Sequence, residues 1–201
     1  AIQYYWFQEG LITGIPVIIS RTGYTGEVGF ELYTDARYGV DLWDSLYKST
    51  IAGGGLPVGL GARDTLRLES GLPLHGNDID QTTTPLESRL SWAVSLKKGN
   101  FIGREALMKQ KKQGITNRLI GFRMLDRSIA RSHYPIYQDE ECISKITSGG
   151  LSPTLGISIG LAYLPKEQGK VSSKIEIQIR QKLHPAEVVP IPFYRSRKLT
   201  A

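Results

Sequence analysis

Apolar and polar positions along the first third of the chain follow two different periods. Gly14 to Arg21 (GIPVIISR) is a β-branched apolar run opened by the glycines at Gly10 and Gly14, and it reads as a strand. Gly29 to Tyr33 (GFELY) alternates, with Phe30 and Leu32 on one face and Glu31 and Tyr33 on the other. Between these runs, Thr22-Gly23-Tyr24-Thr25-Gly26 carries the glycines of a tight reversal. From Asp35 to Thr50 the period lengthens. Val40, Trp43, Leu46 and Tyr47 recur at helical spacing, and Gly53 to Gly55 end the run. Gly61 to Ser70 (GARDTLRLES) predicts a second helix, stopped by Gly71 and Pro73. Gly103 to Gln113 predicts a third, with lysines at its C-terminal end, where the helix dipole favours cations.

After Gly114 the texture changes. Leu119–Leu125, Ile136–Gln138, Ile143–Thr147, Ile157–Tyr163, Ile175–Arg180 and Glu187–Ile191 are short strand-like runs. Turn residues such as Gly149-Gly150 and Gly169 separate them. Six short strands without a helix predict a closed or sandwiched β unit. The expected fold class is therefore α+β, a mixed α/β domain over residues 1–117 followed by a small closed or sandwiched β domain over 118–201.

Composition narrows the function classes. The chain has 201 residues, of which 40% are hydrophobic and 22% charged, enough apolar material for a packed core. No window approaches the roughly 18 uninterrupted apolar residues of a membrane span, so no membrane partner is expected. The single Cys142 excludes a disulfide framework and a cysteine-only zinc site, and it fits a reducing compartment. The formal charge of +6 suits an anionic partner or ligand. The chain opens Ala1-Ile2-Gln3-Tyr4-Tyr5-Trp6, without an initiating Met, so an N-terminal continuation is expected.

Several familiar chemistries find no support. His75, His133 and His184 are scattered, and no metal is expected. No G-x-S-x-G is present. Arg21 to Gly29 (RTGYTGEVG) has glycines but neither phosphate-loop spacing, and a strand rather than a helix is predicted behind it. The basic clusters at Lys97-Lys98, at Lys109, Lys111 and Lys112, and at Arg195, Arg197 and Lys198 have no interleaved aromatic residues, which argues against nucleic acid. Two features stay open. Glu31 is either a solvated strand carboxylate or the acceptor for two parallel N–H donors of a flat heterocycle. Arg63 and Arg67 form an i, i+4 pair, either on a solvated face or with Arg63 as a fork donor into a cleft.

Five segments together resemble one family. They are SRTGYTGEVGFELY (Ser20–Tyr33), GLGARDTLRLESGLPLHGNDID (Gly59–Asp80), GNFIGREAL (Gly99–Leu107), TSGGLSPTLGISIGLAY (Thr147–Tyr163) and PFYRSRK (Pro192–Lys198). In order and spacing they resemble the aminomethyltransferases, the T-proteins of the glycine cleavage system. The resemblance implies transfer of the aminomethyl unit from the lipoyl arm of the H-protein to tetrahydrofolate, with release of ammonia. It implies a folate-binding α/β region followed by a C-terminal barrel, while the single cysteine points to a reducing interior, the bacterial cytoplasm or, in a eukaryote, the mitochondrial matrix. It also implies roles for particular residues. Glu31 of G-F-E would meet the amino and ring N–H edge of the pterin, and Arg63 of A-R-D-T-L-R-L-E would be a polar contact to the folate. Tyr24 of G-Y-T-G and Tyr4 would line the pocket, and Arg195 would lie near the other end of the ligand. Arg67 keeps its solvated reading.

Departures accompany the match. Val28 stands where the family commonly has Asp, Gly150-Leu151 where Thr-Phe is common, and His184-Pro185 where a straight basic strand is typical. The family's catalytic Asp belongs to a first half that this chain does not contain, so the 201 residues alone are expected to be inactive. The alternative is a folate-binding module without catalysis, or the folate domain of a sarcosine or dimethylglycine dehydrogenase-like protein.

Overall fold

The structure, a computed structural model, describes residues 1–196. Two compact units emerge. One comprises Ala1–Leu66 and takes the chain up again at Arg195; the other spans Arg67–Tyr194.

The first unit is a three-stranded antiparallel sheet in the order β1 (Phe7–Ile12), β2 (Ile15–Ser20), β3 (Glu31–Tyr33). The predicted strands are β2 and β3, and β1 was not foreseen. Period-2 alternation puts Ile15 and Val17 of β2 on the buried face, where they meet Leu42. Leu42 lies on α1 (Gly39–Ala52), which follows a 3-10 turn at Ala36–Tyr38. Asp35 caps that turn by accepting from the Arg37 N–H at 3.0 Å. Leu46, one helical turn beyond Leu42, extends the same stripe, and Gly53 ends the helix.

The second unit is a closed barrel. Its strands are β4 (Asn117–Met124), β5 (Pro135–Gln138), β6 (Glu141–Leu151), β7 (Ser158–Pro165), β8 (Lys174–Ile179) and β9 (Lys182–Val189), in the order β4-β7-β6-β5-β8-β9. All six predicted strands are present. Inward positions such as Ile120, Phe122, Ile136, Ile146, Leu164 and Ile177 fill the interior. β4 and β7 are buried on their outer faces too, where Leu119, Ile159 and Leu161 pack with Leu68, Ile191 and Phe193. Gly160 makes the interior possible, because a Cβ there would lie 2.5 Å from the Phe122 ring. Gly149 and Gly150, expected as a turn, lie inside β6 instead. Gly149 is glycine because a side chain would meet the Ala130 carbonyl at 3.0 Å.

Helix α2 (Leu60–Glu69) contains the division between the units, and α3 (Arg104–Gln113) precedes the barrel. Among the described residues no helix is long and apolar enough to cross a membrane.

Candidate functional site

Glu31 opens β3 opposite Ser20 of β2. Alternation along the strand sends its side chain to the Tyr33 side, as the pattern predicts, and the Tyr33 hydroxyl donates to Oε2 at 3.4 Å. Thr22, two residues beyond β2, donates its hydroxyl to the same Oε2. That proton assignment orients the next link, so Ser20 Oγ donates to Thr22 Oγ1 at 2.9 Å. A Ser20–Thr22–Glu31 chain thus fixes the half-buried carboxylate through one oxygen. The Tyr33 contact is long and weak, and Oε1 accepts no hydrogen bond from any described residue. Oε1 therefore keeps its lone pairs for a donor, and displacing the weak Tyr33 bond frees one on Oε2 for the second of a planar pair.

Arg63 lies in the first turns of α2, where its backbone N–H donates to the Gly59 carbonyl at 3.2 Å. Its guanidinium sits 4.8 Å from the centroid of the Tyr24 ring. Such a cation–π contact at an exposed site contributes about 0.5–1 kcal/mol. It uses the face of the guanidinium and leaves the five N–H groups in the guanidinium plane able to donate. Tyr24 and Arg63, predicted separately, are therefore one pair.

Tyr4 packs against Tyr5, with ring centroids 4.2 Å apart at a 54° tilt. Burial and the neighbouring Tyr5 hydroxyl hold the Tyr4 phenol above its ordinary pKa. Arg21 ties this segment to the sheet. Its guanidinium donates to the Ile2 carbonyl at 3.0 Å, and its backbone exchanges bonds with Tyr5 and Trp6. Arg195 is exposed near the end of the described chain. Arg197 and Lys198, named with it as a basic cluster, lie outside the described residues. The contacts thus gather the candidates into three groups: Glu31 with Thr22 and Tyr33, Tyr24 with Arg63, and Tyr4 with Tyr5. Thr22 was missed as a partner of Glu31, because the nine positions between them are bridged only when β2 and β3 pair.

In the second unit Arg67 corrects the expectation of a solvated face, since it is only 2% exposed. Its Nη1 donates to Asp78 Oδ2 at 2.8 Å and to the Leu72 carbonyl at 3.2 Å, while Nη2 donates to Ser148 Oγ at 2.9 Å. Asp78 also accepts from the Leu74 N–H at 2.8 Å, Ser148 Oγ at 2.7 Å and Thr147 Oγ1 at 2.5 Å. Glu69 is equally enclosed, accepting from Ser152 Oγ at 2.5 Å, the Thr154 N–H at 3.0 Å and Thr154 Oγ1 at 2.7 Å. These acids are held on every side and act as struts. The Tyr163 hydroxyl, donating to the Asp78 carbonyl at 2.8 Å, belongs to the same frame, and burial above all pushes its pKa up to about 12. Among the described residues no group of three or more His, Cys, Asp or Glu could hold a metal ion.

Comparison with known proteins decides the family. Residues 1–98 match the GCVT N-terminal domain, and residues 117–195 match the glycine cleavage T-protein C-terminal barrel domain. An aminomethyltransferase of Desulfitobacterium hafniense (strain DSM 10664 / DCB-2) is 45% identical over 194 residues, 96% of this chain and 53% of that protein. One from Nostoc sp. (strain PCC 7120) is 50% identical over 189 residues, 94% of this chain and 49% of that protein. The chain belongs to the glycine cleavage T-protein family.

The crystal structure of the glycine cleavage system aminomethyltransferase T from Bartonella henselae superposes with a TM-score of 0.85 at 32% identity, over 90% of this chain and 50% of that one. The chain spans about half the length of the curated relatives it matches. Its T-protein barrel is the six-stranded closure described above, whose first strand begins at Asn117, where the barrel match begins.

Proposed function

We propose that this chain supplies part of the folate-binding wall of an aminomethyltransferase. The parent enzyme passes the aminomethyl unit from the lipoyl arm of an H-protein to tetrahydrofolate and releases ammonia. The observation that carries the reading is the Glu31 carboxylate, tethered through Oε2 by Thr22 and open at Oε1. A pterin presents an amino group and a ring N–H side by side, and a carboxylate held in one orientation accepts both in charge-assisted bonds. Arg63, stacked on Tyr24, donates in its own plane to a carbonyl or carboxylate of the ligand. Tyr24 and Tyr4 form apolar walls, and Arg195 pairs with the ligand's far carboxylates. The division of the chain into a folate-binding domain over 1–117 and a barrel domain over 118–201 belongs to the same proposal.

The work of these residues is positioning. Holding the reduced folate in one orientation turns an encounter between two solutes into a reaction within one complex. None of the residues assigned here moves the proton that leaves with ammonia, so the acid that does so lies elsewhere in the parent enzyme. Given lipoylated H-protein loaded with the aminomethyl group, and tetrahydrofolate, the 201-residue chain alone then releases no ammonia above background. The charge of +6 suits an acidic carrier, through faster encounter more than tighter binding.

Titration of tetrahydrofolate into the wild-type chain and Glu31→Ala tests the site. An affinity loss of about tenfold or more is expected for a charge-assisted pair. Equal affinities remove Glu31 from the site.

A further inference from the structure

Strand β8 ends in a two-residue reversal into β9, because Ile179 pairs with Lys182 and leaves Arg180 and Gln181 between them. Arg180 takes φ +59° there. The first central position of such a turn favours glycine, asparagine or aspartate, since a Cβ is crowded in the left-handed region. A long cationic side chain at this point is unfavourable for the backbone alone, and backbone strain of this kind gathers where a side chain is needed.

Arg180 borders a cleft of about 770 Å³ at this end of the barrel. Arg131 and Lys182 line the same cleft, with His184, and neither they nor Arg180 has an acidic partner among the described residues. Asp126, beside the cleft's His184, is engaged with His184 Nδ1 at 2.8 Å and with the Ser128 N–H at 2.9 Å. Contrast the cations on the neighbouring strands, where Arg123 and Lys174 are both neutralised by Glu187. Ile129, Ile179 and Tyr134 give the cleft an apolar side. Two guanidinium forks and an ammonium around one concavity match the oxygens of a phosphate group.

We propose that this cleft is an anion site for a small, multiply charged phosphate compound, with Arg131, Arg180 and Lys182 as its ligating side chains. It uses none of the folate-wall residues. A second basic cleft, of about 650 Å³, is lined by Lys97, Lys111 and Lys166 without any arginine, and it serves as an internal control.

The test is a titration of pyrophosphate into the full chain at low salt, followed by calorimetry, with inorganic phosphate as a weaker single-group probe. Saturable binding is expected, weakened about tenfold by Arg131→Gln, by Lys182→Gln and by Arg180→Gly. Arg180→Gly also relieves the turn, so its thermal midpoint stays at or above wild type and its loss of binding is not a loss of fold. Lys111→Gln leaves the affinity unchanged. Absence of saturable binding overturns the proposal. So does an equal loss from Lys111→Gln, or a duplex oligonucleotide released equally by Arg180→Gly and Lys111→Gln, since either marks diffuse charge rather than a site.

Discussion

The sheet of the first unit and the barrel of the second solve the same problem differently. Both are antiparallel and both bury alternate residues, yet the sheet covers one face with one helix and keeps β1 and β3 as edges. Its buried apolar core is Ile15, Val17 and Leu42, while Trp6, Phe7 and Leu11 remain 64–70% exposed. The barrel has no edge, and Phe122, Ile136, Ile146, Leu161, Leu164 and Ile177 have no exposure at all. Closure converts every strand into a central one, and a three-stranded sheet with one covered face is near the lower limit of independent stability. The candidate binding residues Tyr4, Tyr24, Glu31 and Arg63 lie on the less buried unit. Ligand-contacting segments are commonly drawn from the low-stability end of a molecule, because a surface able to bind cannot also be closed. Backbone amides of β1–β3 are expected to exchange with solvent faster than those of β4 and β7.

The largest way to break this contrast is to remove one partner of the barrel unit's buried ion pair. Asp78→Ala leaves the Arg67 guanidinium buried without its counter-charge, which costs about 3–5 kcal/mol. Urea denaturation followed by circular dichroism measures it. The double variant Arg67→Met/Asp78→Leu is expected to recover much of the loss, because replacing both charges with apolar groups removes the need for compensation. Failure of the double variant to recover anything would show that the Ser148 and Thr147 bonds, rather than the charge pair, hold the frame.

A smaller effect tests how the interior is filled. Gly160→Ala drives a methyl group against the Phe122 ring and the Ser148 carbonyl, and overpacking of this kind costs about 1–3 kcal/mol. Pairing it with Phe122→Leu relieves the clash, so the two changes are expected to be less destabilising together than their sum. Additive losses in the same denaturation series would mean that the backbone gives way instead of the ring. On the open unit, Glu31→Gln keeps the Thr22 bond and is expected to change stability by less than about 0.5 kcal/mol, while weakening tetrahydrofolate binding. Stability and binding therefore separate at Glu31, whereas Arg67 and Asp78 serve stability alone.

The contrast also explains which parts of the molecule were legible in the amino-acid pattern. Barrel strands such as β4 and β8 announce themselves through a short apolar run or alternating isoleucines, and the shared face of Glu31 and Tyr33 follows from period-2 alternation alone. β1 (FQEGLI) does not, because an edge strand carrying Gln8, Glu9 and Gly10 has no buried face strong enough to show a period. β9 begins at Lys182, not at the expected Glu187, since Pro185 reads as a break. Its missing N–H does not stop its carbonyl from accepting from Leu125 at 2.9 Å. Arg67 was misplaced for a more general reason. Helical spacing shows which residues share a face, and burial of a charged face depends on an acid eleven positions away, Asp78, that no local pattern links to it. Thr22 beside Glu31 and Arg63 over Tyr24 are likewise contacts between segments, visible only once the strands are paired.

The smallest effect concerns pH, and it separates the exposed charges of the barrel from its buried ones. Hydrogen bonds from Arg123 and Lys174 hold the Glu187 carboxyl below its ordinary value of 4.5. A carboxyl whose folded pKa is depressed stabilises the folded state above its unfolded pKa, and that contribution is lost as pH falls through the folded one. Glu187→Gln removes the charge at every pH. Its urea midpoint is expected to lie slightly below wild type at neutral pH and to converge on it in acid. Added salt shrinks the neutral gap, because Arg123 and Lys174 are exposed and screened. Curves that stay parallel into acid would trace the difference to packing of the Glu187 side chain rather than to its charge. The Asp78 variant offers the reference, since its loss, arising from a fully buried pair, is expected to be indifferent to salt.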